Sequence, residues 1–584
     1  MEAAAASSSR GRTLARIAAS TLAGVWFALT LTFLLFQTHS PAPGLPDETQ
    51  AQIRQEFGLD QPMAERYVSF LTDVVRGDLG TSSVAHEPVL DIVRRYLARS
   101  SLVALSAVVV ALVAARVLAV AVARRPDGRV DRSVMAVCAV LASLPFHYVV
   151  IGLLLFGAYT VHVLPGTGYR SDPTASGWAA VWDVVRHAAL PVLSIALSLV
   201  GRFTMVVRAH LLDRLEWTGE ALRSRRVRRR AFRETWGRSV RSVAGRVGFI
   251  LSALIVVESV AAWRGAGGLL GWGISNGDYP VVRGIFLGLV VPAVALACAI
   301  RTRWTGRGSA QTLSSPLRDR AVRAGLLLSA VWIAFALLAP VVLAADQRTM
   351  AWAAAHGAPI SAPPLSTCGT PLASCPNGEH HVWLLGTDSM GVSNLQIAWE
   401  DRSRLGFVAS ATALGVLLGA VVGMLVAVSP RVLGSMLEWV VDAVTAVPFM
   451  LVLIALIAVP RGTHGSKVAL ALMGAGLVAR PVAEMWRAPG AGGRARLRAL
   501  AAGSASLASF VFFAAAMLPF SWIHFDQDIP MTGWWFSLAL LAANAALPVV
   551  GLRLVAHGLL ARRRTFAPGA GAAVWQGGTR TAEV

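Results

Sequence analysis

Residues 220–236 read EALRSRRVRRRAFRETW, seven arginines in a connector between two long apolar runs. Charge this dense beside such runs is the signature of a chain threaded repeatedly through a bilayer, because basic residues stay on one side of it. The rest of the sequence follows the same pattern. Hydrophobic residues make up 55% of the 584 positions, and mean hydropathy is +0.59. Apolar runs of about 20 residues, enough to cross a hydrocarbon layer of roughly 30 Å, recur near residues 17–36, 101–123, 133–159, 187–207, 247–263 and 281–300. A second series follows near 324–345, 405–428, 436–459, 468–486, 504–523 and 534–560.

Counting these runs and reading the charge of the connectors give the same topology. Connectors 124–132, 208–246, 301–323, 487–498 and 561–564 are basic, whereas 38–98 and 346–404 are net acidic. Every basic connector falls on one face, so both termini are expected to be cytoplasmic in a multi-pass plasma-membrane protein. The predicted fold is all-α and polytopic, with about twelve transmembrane helices in two six-helix halves. Residues 1–310 form the first half, with an extracellular loop at 38–98. Residues 311–584 form the second, with an extracellular loop at 346–404. The net charge of +21 and pI of 11.3 would suggest a nucleic-acid partner in a soluble protein. Distributed over alternate connectors, the charge points to the lipid bilayer instead, and no nucleic acid is expected.

Four cysteines are present. Cys138 and Cys298 lie in apolar runs and read as small packing residues. Cys368 and Cys375 lie in STCGTPLASCPNG (366–378), on the predicted outer face, where a disulfide is permitted; two free thiols are the alternative. His380 and His381 lack metal-ligand spacing to them, so no metal site is expected.

Specific motifs narrow the reading. In order come FGLDQP (57–62), RGDLGTS (76–82), SLP (143–145), VLPGTG (163–168), HAALPVLSIAL (187–197), VVES (256–259) and GDYPVVRG (277–284). This series resembles the first transmembrane subunit of a dipeptide/oligopeptide/nickel-type ABC importer permease. LLGTDSMG (384–391) and WVVDAVTAVPFML (439–451) make the remainder similar to the partner subunit, so both permease subunits are expected to be fused in one chain. The resemblance implies a type I importer permease fold, two ABC ATPase subunits on the cytoplasmic side and an extracellular solute-binding protein that delivers a peptide or similar small solute.

The opening stretch then has an implied role. In such permeases the connector after the fourth helix docks on an ATPase subunit as a short coupling helix. Val227 and Ala231, then Phe232, Trp236, Val240 and Val243, follow spacings of three or four that align them along a helix. Glu220, Ala221 and Leu222 fall at the loop's start, where Ala221 stands in place of the family's glycine. The alternative is a basic loop against lipid headgroups, each arginine contributing about 1 kcal/mol at an anionic surface. The second coupling region, with Arg487, Arg494, Arg496 and Arg498, contains Pro489 and several glycines. These cost roughly 3 and 1 kcal/mol in a helix interior.

Arg116, Arg202, Glu258, Glu438, Asp442 and Arg553 fall in or near apolar runs. A charge at a helix centre costs about 2.5–3.5 kcal/mol on insertion scales. Glu258 and Asp442 match positions that the family tends to make acidic, and they are expected to face the bundle interior. Arg116 and Arg202 are expected to snorkel towards the surface, and structural pairing is favoured over substrate contact for all six. Pro145 and Pro448, in SLPFHY and AVPFML, occupy equivalent places in the two halves and are expected to kink their helices.

Lys467 is the sole lysine, and no Walker A loop surrounds it. The chain is therefore not expected to be an enzyme: it has no catalytic residues and no bound cofactor, and ATP is used by partner subunits. Two alternatives stand beside the importer. One is a twelve-helix secondary active transporter, since GRVDR (128–132) resembles a loop signature of the major facilitator family. The other is a degenerate, non-transporting permease homologue, suggested by the second loop.

Overall fold

A computed structural model describes residues 2–36, 61–126, 128–143, 146–218, 246–303, 322–331, 402–448, 463–487, 500–508 and 549–555, with a few isolated positions between them. Among the described residues the fold is helical apart from two two-residue strands, β1 (Ser366–Thr367) and β2 (Val382–Trp383), paired antiparallel. The helices are α1 (Glu2–Phe36), α2 (Met63–Arg76), α3 (Val89–Ala123), α4 (Arg129–Ser143), α5 (Phe146–Leu153), α6 (Gly177–Thr218), α7 (Val247–Val260), α8 (Ala266–Ser275), α9 (Tyr279–Arg303), α10 (Arg402–Val428), α11 (Arg431–Ala446) and α12 (Thr463–Arg487). A π-helix, Leu154–Thr160, continues α5.

Five segments among the described residues are long and apolar enough to cross a membrane: Ile17–Phe36, Val89–Ala123, Gly177–Leu212, Tyr279–Ala299 and Ala409–Val428. Val247–Val260 and Val322–Val331 are shorter apolar helices. Two of the long helices overrun their predicted limits. α3 begins at Val89, and Ile92 and Val93 bury one side of its polar first turns. α6 runs through Pro191 without ending.

The sequence shows why the helices pack so closely. On α3, Ala107, Ala111, Ala115 and Ala119 recur every fourth position, all fully buried, and α3 packs along α6. On α10, Gly415, Gly419 and Gly423 repeat the device against α12. A Cβ on these glycines would stand 3.1, 2.5 and 2.6 Å from the carbonyl oxygens of Ala471, Ala475 and Ala479. Small residues at this spacing let membrane helices meet backbone to backbone, where dispersion and weak C–H···O contacts replace the missing hydrophobic drive. A long helix, a short helix ending ahead of a proline and a second long helix thus occur in the same order in α3–α4–α6 and α10–α11–α12.

The early and late helices share a seam. The start of α7 abuts the end of α11: a Cβ on Gly248 would lie 3.0, 2.8 and 3.0 Å from the carbonyls of Thr445, Ala446 and Val447. Phe27 of α1 meets Trp439 of α11 edge to face at 6.5 Å. Reciprocally, Val550 and Leu554 pack with Met135, Cys138, Ala139 and Ala142 of α4 and Met205 of α6. Cys138 and Cys298 are buried and take part in no disulfide.

Candidate functional site

One face gathers the motifs that stand far apart in sequence. α2 stops at Gly77, whose φ of +78° suits a residue without a Cβ. The chain then turns through Asp78–Ser82, where the Gly80 N–H donates to Asp78 Oδ1 at 2.9 Å. The Ser82 hydroxyl donates to Asp278 Oδ2 at 2.5 Å, and Arg283 donates to the Leu79 carbonyl at 3.1 Å. Asp278 is fully buried and also accepts the Val281 N–H at 3.3 Å, in the first turn of α9. RGDLGTS and GDYPVVRG are therefore two sides of one knot. The aspartate stabilises a helix N-terminus, where a negative charge meets unpaired N–H groups and the positive end of the dipole.

VLPGTG and VVES meet on the same face. The Gly168 N–H donates to the Ala261 carbonyl at 3.0 Å, and Tyr169 lies edge-on to Trp263 at 5.0 Å. The Arg99 guanidinium lies 5.2 and 4.8 Å from the ring centroids of Tyr96 and Tyr169, within cation–π range. Glu258 is fully buried, and its carboxylate accepts the Gly267 N–H at 2.8 Å in the first turn of α8. Ser100 accepts the neighbouring Ala266 N–H at 2.7 Å. Glu258 thus joins α7 to α8. Nearby in the loop before α6, Thr174 donates through its hydroxyl and N–H to Asp172 at 2.6 and 2.8 Å, holding that carboxyl below the ordinary carboxylate range.

The opposite face, where α6 ends at Thr218, is fastened by ion pairs. Arg208 of α6 reaches Asp131 of α4 through Nε–Oδ1 at 2.7 Å and Nη2–Oδ2 at 2.5 Å, with side chains 1% and 0% exposed. Such a fork is among the strongest charge-assisted arrangements. Arg487 at the end of α12 pairs with Glu438 of α11 and donates to the Val426 carbonyl of α10 at 2.5 Å. It binds three helices together at one end.

The residues singled out from sequence divide accordingly. Glu258 and Arg487 serve as joints between helices. Arg116 is buried, 2% exposed, and so does not snorkel to the surface; Arg202 is half-buried. Pro448 is buried and follows the last turn of α11. Val447 before it is extended, φ −66° and ψ 130°, as the residue ahead of a proline prefers. Here the proline follows a helix end instead of kinking a continuous helix. The backbone of Asp442 lies in α11, but its side chain is outside the described residues. Glu220, Ala221, Leu222, Val227, Phe232, Trp236, Pro145, Cys368, Cys375, Arg494, Arg496 and Arg498 also lie outside them. Among the described residues, no group of three or more His, Cys, Asp or Glu is placed to hold a metal ion.

Sequence reasoning missed Asp131, Arg208 and Asp278. Asp131 lay within GRVDR, read there only as a loop. Asp278 and Ser82 both lay within quoted motifs, but their pairing spans 196 positions, beyond any local periodicity.

Comparison with known proteins places these observations. Residues 107–302 match the family described as binding-protein-dependent transport system inner membrane component. The matched segment runs from α3 to α9 and includes the Arg208–Asp131 pair and the carboxylates of Glu258 and Asp278. A glutathione transport system permease protein of Escherichia coli is 28% identical over 246 residues, 40% of this chain and 74% of that protein. One of the same name from Pectobacterium atrosepticum is 28% identical over 239 residues, with the same shares. A putative peptide transport system permease protein of Brucella abortus is 28% identical over 281 residues, 45% of this chain and 88% of that protein. Over residues 107–302, the chain is thus similar to binding-protein-dependent transport system inner membrane components.

Proposed function

We propose that the chain is a fused permease of an ABC importer, its two six-helix halves, 1–310 and 311–584, standing where two separate subunits usually pair. The observation that carries the reading is the family match over residues 107–302. The recurrence of the α3–α4–α6 order in α10–α11–α12 supports the second half. So does the reciprocal seam, in which late helices pack on α4 and early helices on α11.

In this reading two ABC ATPase subunits bind on the face of the basic connectors, and an extracellular binding protein delivers solute to the opposite face. The knot of Ser82, Asp278, Arg283 and Leu79 and the Glu258 joint hold that outer face rigid. The chain binds no cofactor itself and hydrolyses no ATP. Nucleotide-driven closure of the ATPases draws the coupling loops together, and the halves rock about the seam. Gly248 against the end of α11 provides the close contact about which they move. Substrates are peptides or similar small solutes, the class named for the relatives from Escherichia coli and Brucella abortus. The first loop couples through Glu220, Ala221, Leu222, Val227, Phe232 and Trp236. The second couples through Arg494, Arg496 and Arg498, since Arg487 is engaged within the fold. Asp442, like Glu258, faces the bundle interior, and Cys368 and Cys375 form an external staple.

Replacing Phe232 and Trp236 together with alanine tests the coupling face. Truncating buried aromatic anchors typically removes about 2 kcal/mol or more each from an interface. The variant should therefore keep its fold and membrane insertion but lose co-purification with the ATPases. Retention of the ATPases at the wild-type ratio would remove this assignment.

A further inference from the structure

Arg99 stands in the third turn of α3, on the face away from the basic connectors. At a rise of about 1.5 Å per residue, it lies about 36 Å along the helix from Ala123. A hydrocarbon layer is roughly 30 Å thick, so with Ala123 beside its basic connector the guanidinium stands beyond the lipid tails. Its Cζ lies 5.2 Å from the ring centroid of Tyr96 on the same helix. Tyr169, from the loop before α6, approaches it at 4.8 Å. That second ring is itself fixed. Tyr169 meets the buried Trp263 edge-on at 5.0 Å, and the Gly168–Ala261 hydrogen bond ties its loop to the end of α7.

A guanidinium carries five N–H donors. Arg99 makes one hydrogen bond, a long one, from Nη1 to the Arg264 carbonyl at 3.4 Å. Among the described residues, no carboxylate pairs with it. Carboxylates of this face are engaged elsewhere: Glu87 by Arg95, Glu258 by the Gly267 N–H and Asp172 by Thr174. Tyr96, Arg99 and Tyr169 are each half-buried, so the cation is not sealed from solvent. Two rings and a carbonyl thus fix where the charge stands without neutralising it.

We propose that Arg99, braced by Tyr96 and Tyr169, is a recognition residue for the carboxylate of a small solute. A planar guanidinium meets a carboxylate through two parallel hydrogen bonds, and holding it in place beforehand lowers the ordering cost of binding. The segments that flank it, the loop before α6 and the turn before α8, belong to the face where the motifs gather. That the solute is delivered cargo rests on the permease reading, and it narrows that cargo to solutes with a free carboxylate.

The test uses the purified full chain in phosphatidylcholine nanodiscs, titrated with N-acetyl-trialanine and, at matched ionic strength, with its C-terminal amide. These probes differ only in the carboxylate, and the unfolding midpoint is read. In the wild type the acid should raise the midpoint at concentrations at least tenfold below those the amide needs. Arg94→Gln, an exposed control on the same helix, should behave alike. Arg99→Gln should erase the preference, and Arg99→Lys, which keeps the charge but not the fork, should retain only part of it. Tyr96→Leu leaves the cation and removes one brace, so the acid should weaken severalfold; this variant decides the matter if Arg99→Gln folds poorly. The proposal is overturned if acid and amide act equally on the wild type, or if Arg99→Gln keeps the preference. It is also overturned if phosphatidylglycerol nanodiscs abolish the preference, which would assign Arg99 to a lipid headgroup. No readout involves nucleotide, an ATPase or a binding protein, so failure here leaves ATP-driven uptake to be judged separately.

Discussion

Asp131→Ala is expected to cost about 3–5 kcal/mol of stability, the range for breaking one side of a buried ion pair. The reason is geometric. Arg208 holds both carboxylate oxygens of Asp131 in a bidentate fork, and both side chains are inaccessible to solvent. Removing the carboxylate takes away the group that offsets the arginine's desolvation at that point. The pair itself need not stabilise the fold relative to apolar residues of similar volume. A double replacement, Asp131→Leu with Arg208→Met, should therefore recover most of the loss. Thermal unfolding of the purified chain in detergent checks both variants. A loss under about 1 kcal/mol for Asp131→Ala, the range of exposed pairs, would mean that water reaches this joint. The pair ties the start of α4 to the far part of α6, where the basic connector begins. Weakening it should loosen the surface to which an ATPase is proposed to bind.

The second large effect is expected from Gly419→Val. At this position a Cβ would stand 2.5 Å from the Ala475 carbonyl oxygen, and backbone does not yield as a side chain does. The helices must separate. Because Gly415 and Gly423 approach α12 on the same stripe, the displacement opens those contacts too. Overpacking costs typically 1–3 kcal/mol and occasionally more, and a value of about 3 kcal/mol or more is expected here. Val421→Leu, on an exposed part of the same helix, should stay within about 0.5 kcal/mol of the wild type. Equal unfolding midpoints for the two variants would show that α10 and α12 do not meet at their backbones.

Much of this architecture was legible in the chain, for a simple reason. The thickness of a bilayer sets the length of an apolar run, so the positions of the long helices followed from hydropathy. Their ends did not. α3 begins at Val89 because its polar first turns still bury Ile92 and Val93 against protein, which an average over twenty residues hides. α2 and α8 went unread because both lie outside the spanning runs. The clue to α2 was Gly77, a helix-ending residue behind an amphipathic segment. The Gly415–Gly419–Gly423 repeat was readable as a motif of membrane helix contact, but Ala471, Ala475 and Ala479 opposite it were not. Ion pairs were the least legible. Asp131 and Arg208 are separated by 77 positions.

Solute uptake into proteoliposomes bearing the chain with its ATPase subunits and binding protein measures the central claim most directly. Uptake should require ATP hydrolysis, should cease when either partner is omitted, and should be indifferent to an imposed ion gradient. Uptake by the chain alone, driven by such a gradient and without nucleotide, would contradict the account.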